Sequence, residues 1–173
     1  MKSSRSGWHW RELGNGEFDA LWPLVRALEG RADRTLWVGS LRRWVGRART
    51  RRGAAALHYA SSPVLAGCLY DCFEEEGGQG RCLRLSRVWM VEPGLPGRVA
   101  EGLLTCARAF ARQRGCLRLF LPRRALRGGA LPAGLDRSLP RLALRGTADG
   151  WLLELERYLD DPPPAPTTDG RRR

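Results

Sequence analysis

Five cysteines and two histidines are the side chains whose type and spacing first suggest chemistry. Cys68, Cys72, Cys82, Cys106 and Cys116 form an odd set with no C-x-x-C pair, which supports neither a disulfide framework nor a zinc site. Cys68 and Cys72 stand four apart in a strand-like run, so both point to one face and read as small apolar core residues. His9 lies between Trp8 and Trp10, and His58 lies on a later strand. Neither has a second ligand at metal spacing, so both read as structural histidines.

The formal net charge is +12, and Lys2 is the sole lysine among 30 basic residues. Alanine, glycine, proline and leucine are abundant beside the arginines, while isoleucine and asparagine are nearly absent. G+C-rich coding DNA gives that skew whatever the function, and the arginines are spread along the chain. The charge is therefore not read as a nucleic-acid footprint, which would make affinity fall steeply with salt. An acidic carrier protein or a phosphate-bearing cofactor uses the same charge equally well.

The elements that must position any site follow from hydrophobic period. A chain of 173 residues with 43% hydrophobic content suits one domain with one core. Residues 1–159 read as that domain, and the Pro- and Arg-rich stretch 160–173 as a disordered tail. No apolar run is long enough to span a bilayer, and residues 1–10 lack the apolar segment of a secretory signal, so a cytoplasmic location is the default expectation. Trp8–Leu13 reads as a first strand. Helical spacing predicts a helix over Glu17–Leu28, disturbed by Pro23, and a second one capped by Asp33 or Thr35. Ala54–Ala60, Val64–Phe73 and Arg81–Val91 read as antiparallel strands, the last with Leu83, Leu85, Arg87, Trp89 and Val91 on one side. The clearest helix runs from about Arg98 to Arg114, closed by Gly115. Cys116–Leu121 follows as a strand parallel to the one before that helix. A short helix is expected around Leu135, then strands over Arg141–Arg145 and Trp151–Glu156.

This order resembles the GNAT superfamily of acyl-CoA N-acyltransferases, over roughly Trp8 to Glu156. The matching residues are Val91-Glu92-Pro93, the loop behind it, Leu103-Leu104, and the closing Ala111-Arg112-Gln113-Arg114-Gly115. The resemblance implies an α/β (α+β) fold: a mixed, mostly antiparallel sheet of six to seven strands, a central parallel pair, and helices on both faces. It implies acetyl-CoA or another acyl-CoA as donor. The strand end Trp89, Met90 and Val91 would pair with the pantetheine arm. Gly97, Arg98, Val99, Ala100 and Gly102 would hold the pyrophosphate at a helix N-terminus, where unpaired N–H groups and the dipole favour an anion. The family's loop is Arg/Gln-x-x-Gly-x-Gly/Ala. Here only Gly97, Ala100 and Gly102 echo it, and Arg98 stands where one register expects glycine.

The resemblance also implies a general base and an acid. Glu92 and Asp71 are the candidate carboxylates; Asp71 could instead pair with an arginine such as Arg87. No tyrosine lies between Tyr70 and Tyr158, so the family's usual acid has no counterpart, and Ser138, the hydroxyl of the stretch Pro122–Pro140, is the candidate in its place. Two further readings stand beside the acyl-CoA enzyme: a transferase fed by acyl carrier protein, and a non-catalytic binding module of the same fold. The acceptor would be a small-molecule or protein amine. An exposed last strand leaves a homodimer open.

Overall fold

The computed structural model describes residues 7–30, 32–46, 51–75, 80–92, 94, 97–126 and 143–155. The expectations for Ser138, for a helix around Leu135 and for the tail 160–173 fall outside them.

Strand β1 (Trp8–Leu13) is followed by a 3-10 turn at Phe18–Leu21 and helix α1 (Trp22–Glu29). Pro23 delays the α-helix instead of kinking it: it falls in the first turn of α1, where its missing N–H is not needed. Gly30 ends α1 at φ 62°. Helix α2 (Arg34–Gly46) starts where Asp33 accepts the Leu36 N–H at 2.8 Å, so Asp33 is the cap. Strands β2 (Arg52–Tyr59), β3 (Ala66–Glu74) and β4 (Arg81–Met90) form an antiparallel run with β1. Helix α3 (Arg98–Gln113) leads into β5 (Arg118–Pro122), and β6 (Leu144–Gly146) and β7 (Gly150–Glu154) close the described chain.

The seven strands lie in the order β1-β2-β3-β4-β5-β7-β6, with β4 and β5 the parallel pair. The expected last strand is not an edge: β7 lies between β5 and β6, and the free edge belongs to β6. One core forms between the sheet and α3, from Cys68, Tyr70, Cys72, Leu83, Leu85, Leu103, Leu104 and Phe110 among others. A second forms on the opposite face under α1 and α2, from Leu21, Leu24, Val25, Leu41 and Trp89. Burying side chains of this size stabilises the fold by about 1.5–3 kcal/mol each, which is why the apolar stripe of α3 fixes that helix to the sheet.

One expectation about the faces is overturned. Leu69 pairs with Arg87 but Tyr70 pairs with Leu85, so Ser86 is an extra residue on β4, a β-bulge. An added residue turns the following side chains to the other face. Leu83 and Leu85 therefore pack under α3, Val88 joins them, and Trp89 packs under α1 and α2.

Two glycines are required by close approach. A Cβ at Gly102 would come within 2.5 Å of the Trp8 indole, and one at Gly150 would overlap the Leu121 carbonyl oxygen. An indole can shift and a strand carbonyl cannot. Alanine is also the better helix former at position 102, by about 1 kcal/mol. Thermal unfolding should show Gly150→Ala losing about 2–3 kcal/mol and Gly102→Ala about 1 kcal/mol or less.

Candidate functional site

The parallel pair is short. Cys82, Leu83 and Arg84 of β4 face Arg118, Leu119 and Phe120 of β5, and no later residue of β4 pairs with β5 among the described residues. The two strands thus form a fork that opens at Leu85. Its closed end is fixed by Asp71 on β3. This buried carboxylate accepts from Arg84 Nε at 3.0 Å, from Arg84 Nη2 at 2.5 Å and from Ser86 Oγ at 2.5 Å. The Arg84 guanidinium lies over the Phe73 ring at 5.0 Å, and the hydrogen bond to Asp71 raises its pKa further. Asp71 thus pairs with Arg84, not Arg87, and holds the bulged residue itself.

Beyond the closed end, a cleft of about 370 Å³ runs along the open part of β4, lined by Leu28, Glu29, Arg87, Val88, Trp89, Arg124, Ala125 and Leu126. Glu29, the last residue of α1, accepts from Trp89 Nε1 at 2.7 Å and pairs with Arg87 Nη2 at 3.0 Å. Glu29 and Arg124 carry no local pattern and were not singled out from the sequence. Only the face swap at Ser86, which sends Trp89 toward α1, brings them to the fork.

The wall near α3 departs from the expected phosphate cradle. Gly97 adopts φ 87° at the helix start, a left-handed conformation that favours glycine. The turn brings Glu92 back over the helix, where its carboxylate accepts the N–H of Val99 at 3.2 Å and of Ala100 at 3.0 Å. Glu92 therefore caps α3 with the donors a pyrophosphate would use. A phosphate placed about 4 Å from that carboxylate would be repelled by roughly 4 kcal/mol at an effective dielectric of 20. Arg98 is exposed. Gly102 faces the Trp8 indole, so its missing side chain makes room for an aromatic ring. Met90 is half-buried against the α3 core, and the Val91 N–H donates to Leu65 O at 3.0 Å.

A second cleft, of about 380 Å³, lies at the other end of the sheet, with Glu12, Arg51, Arg52, Tyr70, Cys72 and Arg114 among its lining. Tyr70 donates to Glu12, which also pairs with Arg114 at 2.6 Å; burial and that carboxylate push the phenol pKa up. His9 and His58 are direct neighbours across β1 and β2, and His58 Nδ1 lies 3.3 Å from Ser62 O. No group of three metal-ligating side chains forms among the described residues. No described helix is long and apolar enough to cross a membrane.

No protein-family model matches this chain, and no curated protein does. Solved structures do match. A ribosomal-protein-alanine N-acetyltransferase from Brucella melitensis is 13% identical with a TM-score of 0.56, over 81% of this chain and 94% of its own. A predicted acetyltransferase from Clostridium acetobutylicum, solved with acetyl-CoA, is 14% identical with a TM-score of 0.54, over 86% and 96%. An acetyltransferase from Trypanosoma brucei is 15% identical with a TM-score of 0.53, over 81% and 94%. The strand order, the parallel pair and the helices on both faces are those of the GNAT superfamily fold.

All five cysteines are free and buried. Burial raises the pKa of Cys106 to about 11 and that of Cys82 to about 12. Cys72 moves the other way, because the Cys116 thiol donates a hydrogen bond to it and Arg114 and Arg81 are near. Its thiolate is therefore populated at lower pH than an ordinary thiol's. Iodoacetamide should modify Cys72 first in the native protein, at a rate that rises from lower pH than for Cys106, as peptide mass mapping would show. Asp71→Asn would leave Arg84 without its ion partner. With Arg84 about one third exposed, the expected loss is about 2–3 kcal/mol, a fall in Tm of about 5–10 °C by calorimetry.

Proposed function

We propose that this chain is an N-acyltransferase that moves an acyl group from a thioester to an amine in the fork between β4 and β5. The observation that carries this reading is the three-residue parallel pair, which leaves the outer edge of β4 from Leu85 onward without a strand partner among the described residues. Backbone groups alternate sides along a strand, and Val91 already donates toward β3, so Met90 and Val88 turn theirs to the gap. A pantetheine arm carries two amides and can add there as a strand would. Acetyl-CoA or another acyl-CoA is the donor that supplies the thioester.

In this reading the neutral amine nitrogen attacks the thioester carbonyl, the C–S bond breaks, and the proton shed by the new amide nitrogen passes through water to the leaving thiolate. The amine must first be neutral. Glu29 is the carboxylate that lines the cleft, and it takes the proton of the ammonium form directly or through one water. Asp71 and Glu92 are not assigned this step, because their oxygens are engaged by Arg84 and Ser86 and by the start of α3. Trp89 holds Glu29 through its indole N–H. The acceptor is a small-molecule or protein amine.

The Glu92 cap favours a second reading, a non-catalytic module of the same fold. Incubation with acetyl-CoA, longer acyl-CoAs, acetyl-pantetheine and acetyl-loaded acyl carrier protein, each with a panel of primary amines, separates the two by mass spectrometry of the acylated amine. Product should form with at least one donor, and Glu29→Gln should lower kcat about 100-fold. Absence of product with every donor would leave only the binding module.

A further inference from the structure

We infer that Glu92 selects the donor: the fork takes a pantetheine thioester without using a nucleotide pyrophosphate at the start of α3. This rests on the transferase reading of the fork. Three observations support it. The N–H groups of Val99 and Ala100 already donate to the Glu92 carboxylate. That carboxylate is tethered only seven residues before Val99, so no free anion competes with it on equal terms. Glu101 adds a second carboxylate to the same first turn of the helix. A diphosphate arriving here meets occupied donors and fixed negative charge.

What remains for the donor is backbone and apolar surface beside the Glu29–Arg87 pair. The open edge of β4 can pair with the amides of pantetheine, and the apolar lining of Leu28, Val88, Ala125 and Leu126 can receive an acyl chain. The exposed Arg87 on β4, Arg98 at the start of α3, and Arg123 and Arg124 in the turn after β5 border the fork. The shared ligand chemistry is thus an acyl thioester of pantetheine, whether free, held by an acidic carrier protein, or the outer arm of an acyl-CoA whose pyrophosphate is not held at α3.

Calorimetry on the whole chain tests this. Wild-type protein should bind acetyl-CoA and acetyl-pantetheine within about threefold of each other. Glu92→Ala exposes the two N–H groups and should tighten acetyl-CoA about tenfold with acetyl-pantetheine unchanged. Glu92→Gln, whose amide oxygen can still cap the helix, should give a smaller gain; circular dichroism on both variants checks that α3 persists. The idea is overturned by a wild-type preference for acetyl-CoA of about 30-fold or more, or by a Glu92→Ala protein with an unchanged preference. An acetyl-loaded acyl carrier protein that binds more tightly than free acetyl-pantetheine identifies the carrier as the source, and equal binding identifies the free thioester. Binding with this selectivity but no acylated amine would defeat the transferase reading and leave donor selection standing. No binding of any thioester would defeat both.

Discussion

A carboxylate buried between two strands must be satisfied, and much of this fold follows from how Asp71 is. Its oxygens take two of the three guanidinium nitrogens of Arg84 and the hydroxyl of Ser86. Ser86 is the bulged residue, so the contact fixes the place where β4 gains its extra residue and its additional twist. Just past Arg84, β4 and β5 stop pairing. The same inserted residue turns Trp89 to the α1 face, where its indole reaches Glu29. One ion pair with a hydroxyl thus connects the sheet register, the opening of the fork and the carboxylate on its wall.

The two walls of the fork differ in electrostatic character. Along α1 and the turn after β5, Glu29 is matched by Arg87, with Arg124 close by. Toward α3, the helix dipole that would draw an anion is already met by Glu92. Capping of this kind secures the longest helix at its first turn, where Gly97 must hold a positive φ to let the chain return. Helix stability and anion binding draw on the same N–H groups, and in this chain the first has them. Trp8 fills the notch at Gly102 in a similar way, giving aromatic packing at a position where the resemblance implied phosphate contact.

The order and type of the elements were legible because they rest on local signals: period-2 and period-3.6 patterns, and Gly115 at the end of the clearest helix. Cys68 and Cys72 on one face also follow from alternation along β3. The facing of β4 did not, because nothing at Ser86 marks an inserted residue and alternation assumes there is none. Asp71 could be read as a base or as the partner of an arginine such as Arg87; the register places Arg84 opposite it. Glu92 was read as a group open to solvent or substrate, since its distance from Val99 in sequence says nothing of a turn that folds it back. Glu29 and Arg124 have no sequence signature, and only the sheet brings them together.

The sheet ends at β6, which is three residues long and whose last two are exposed. A row of three residues offers few unsatisfied backbone groups, so it templates poorly for another chain. At the far margin β1 turns His9 and Arg11 to solvent. Among the described strands, neither outermost ribbon thus offers a long apolar row along which a neighbour could extend the sheet.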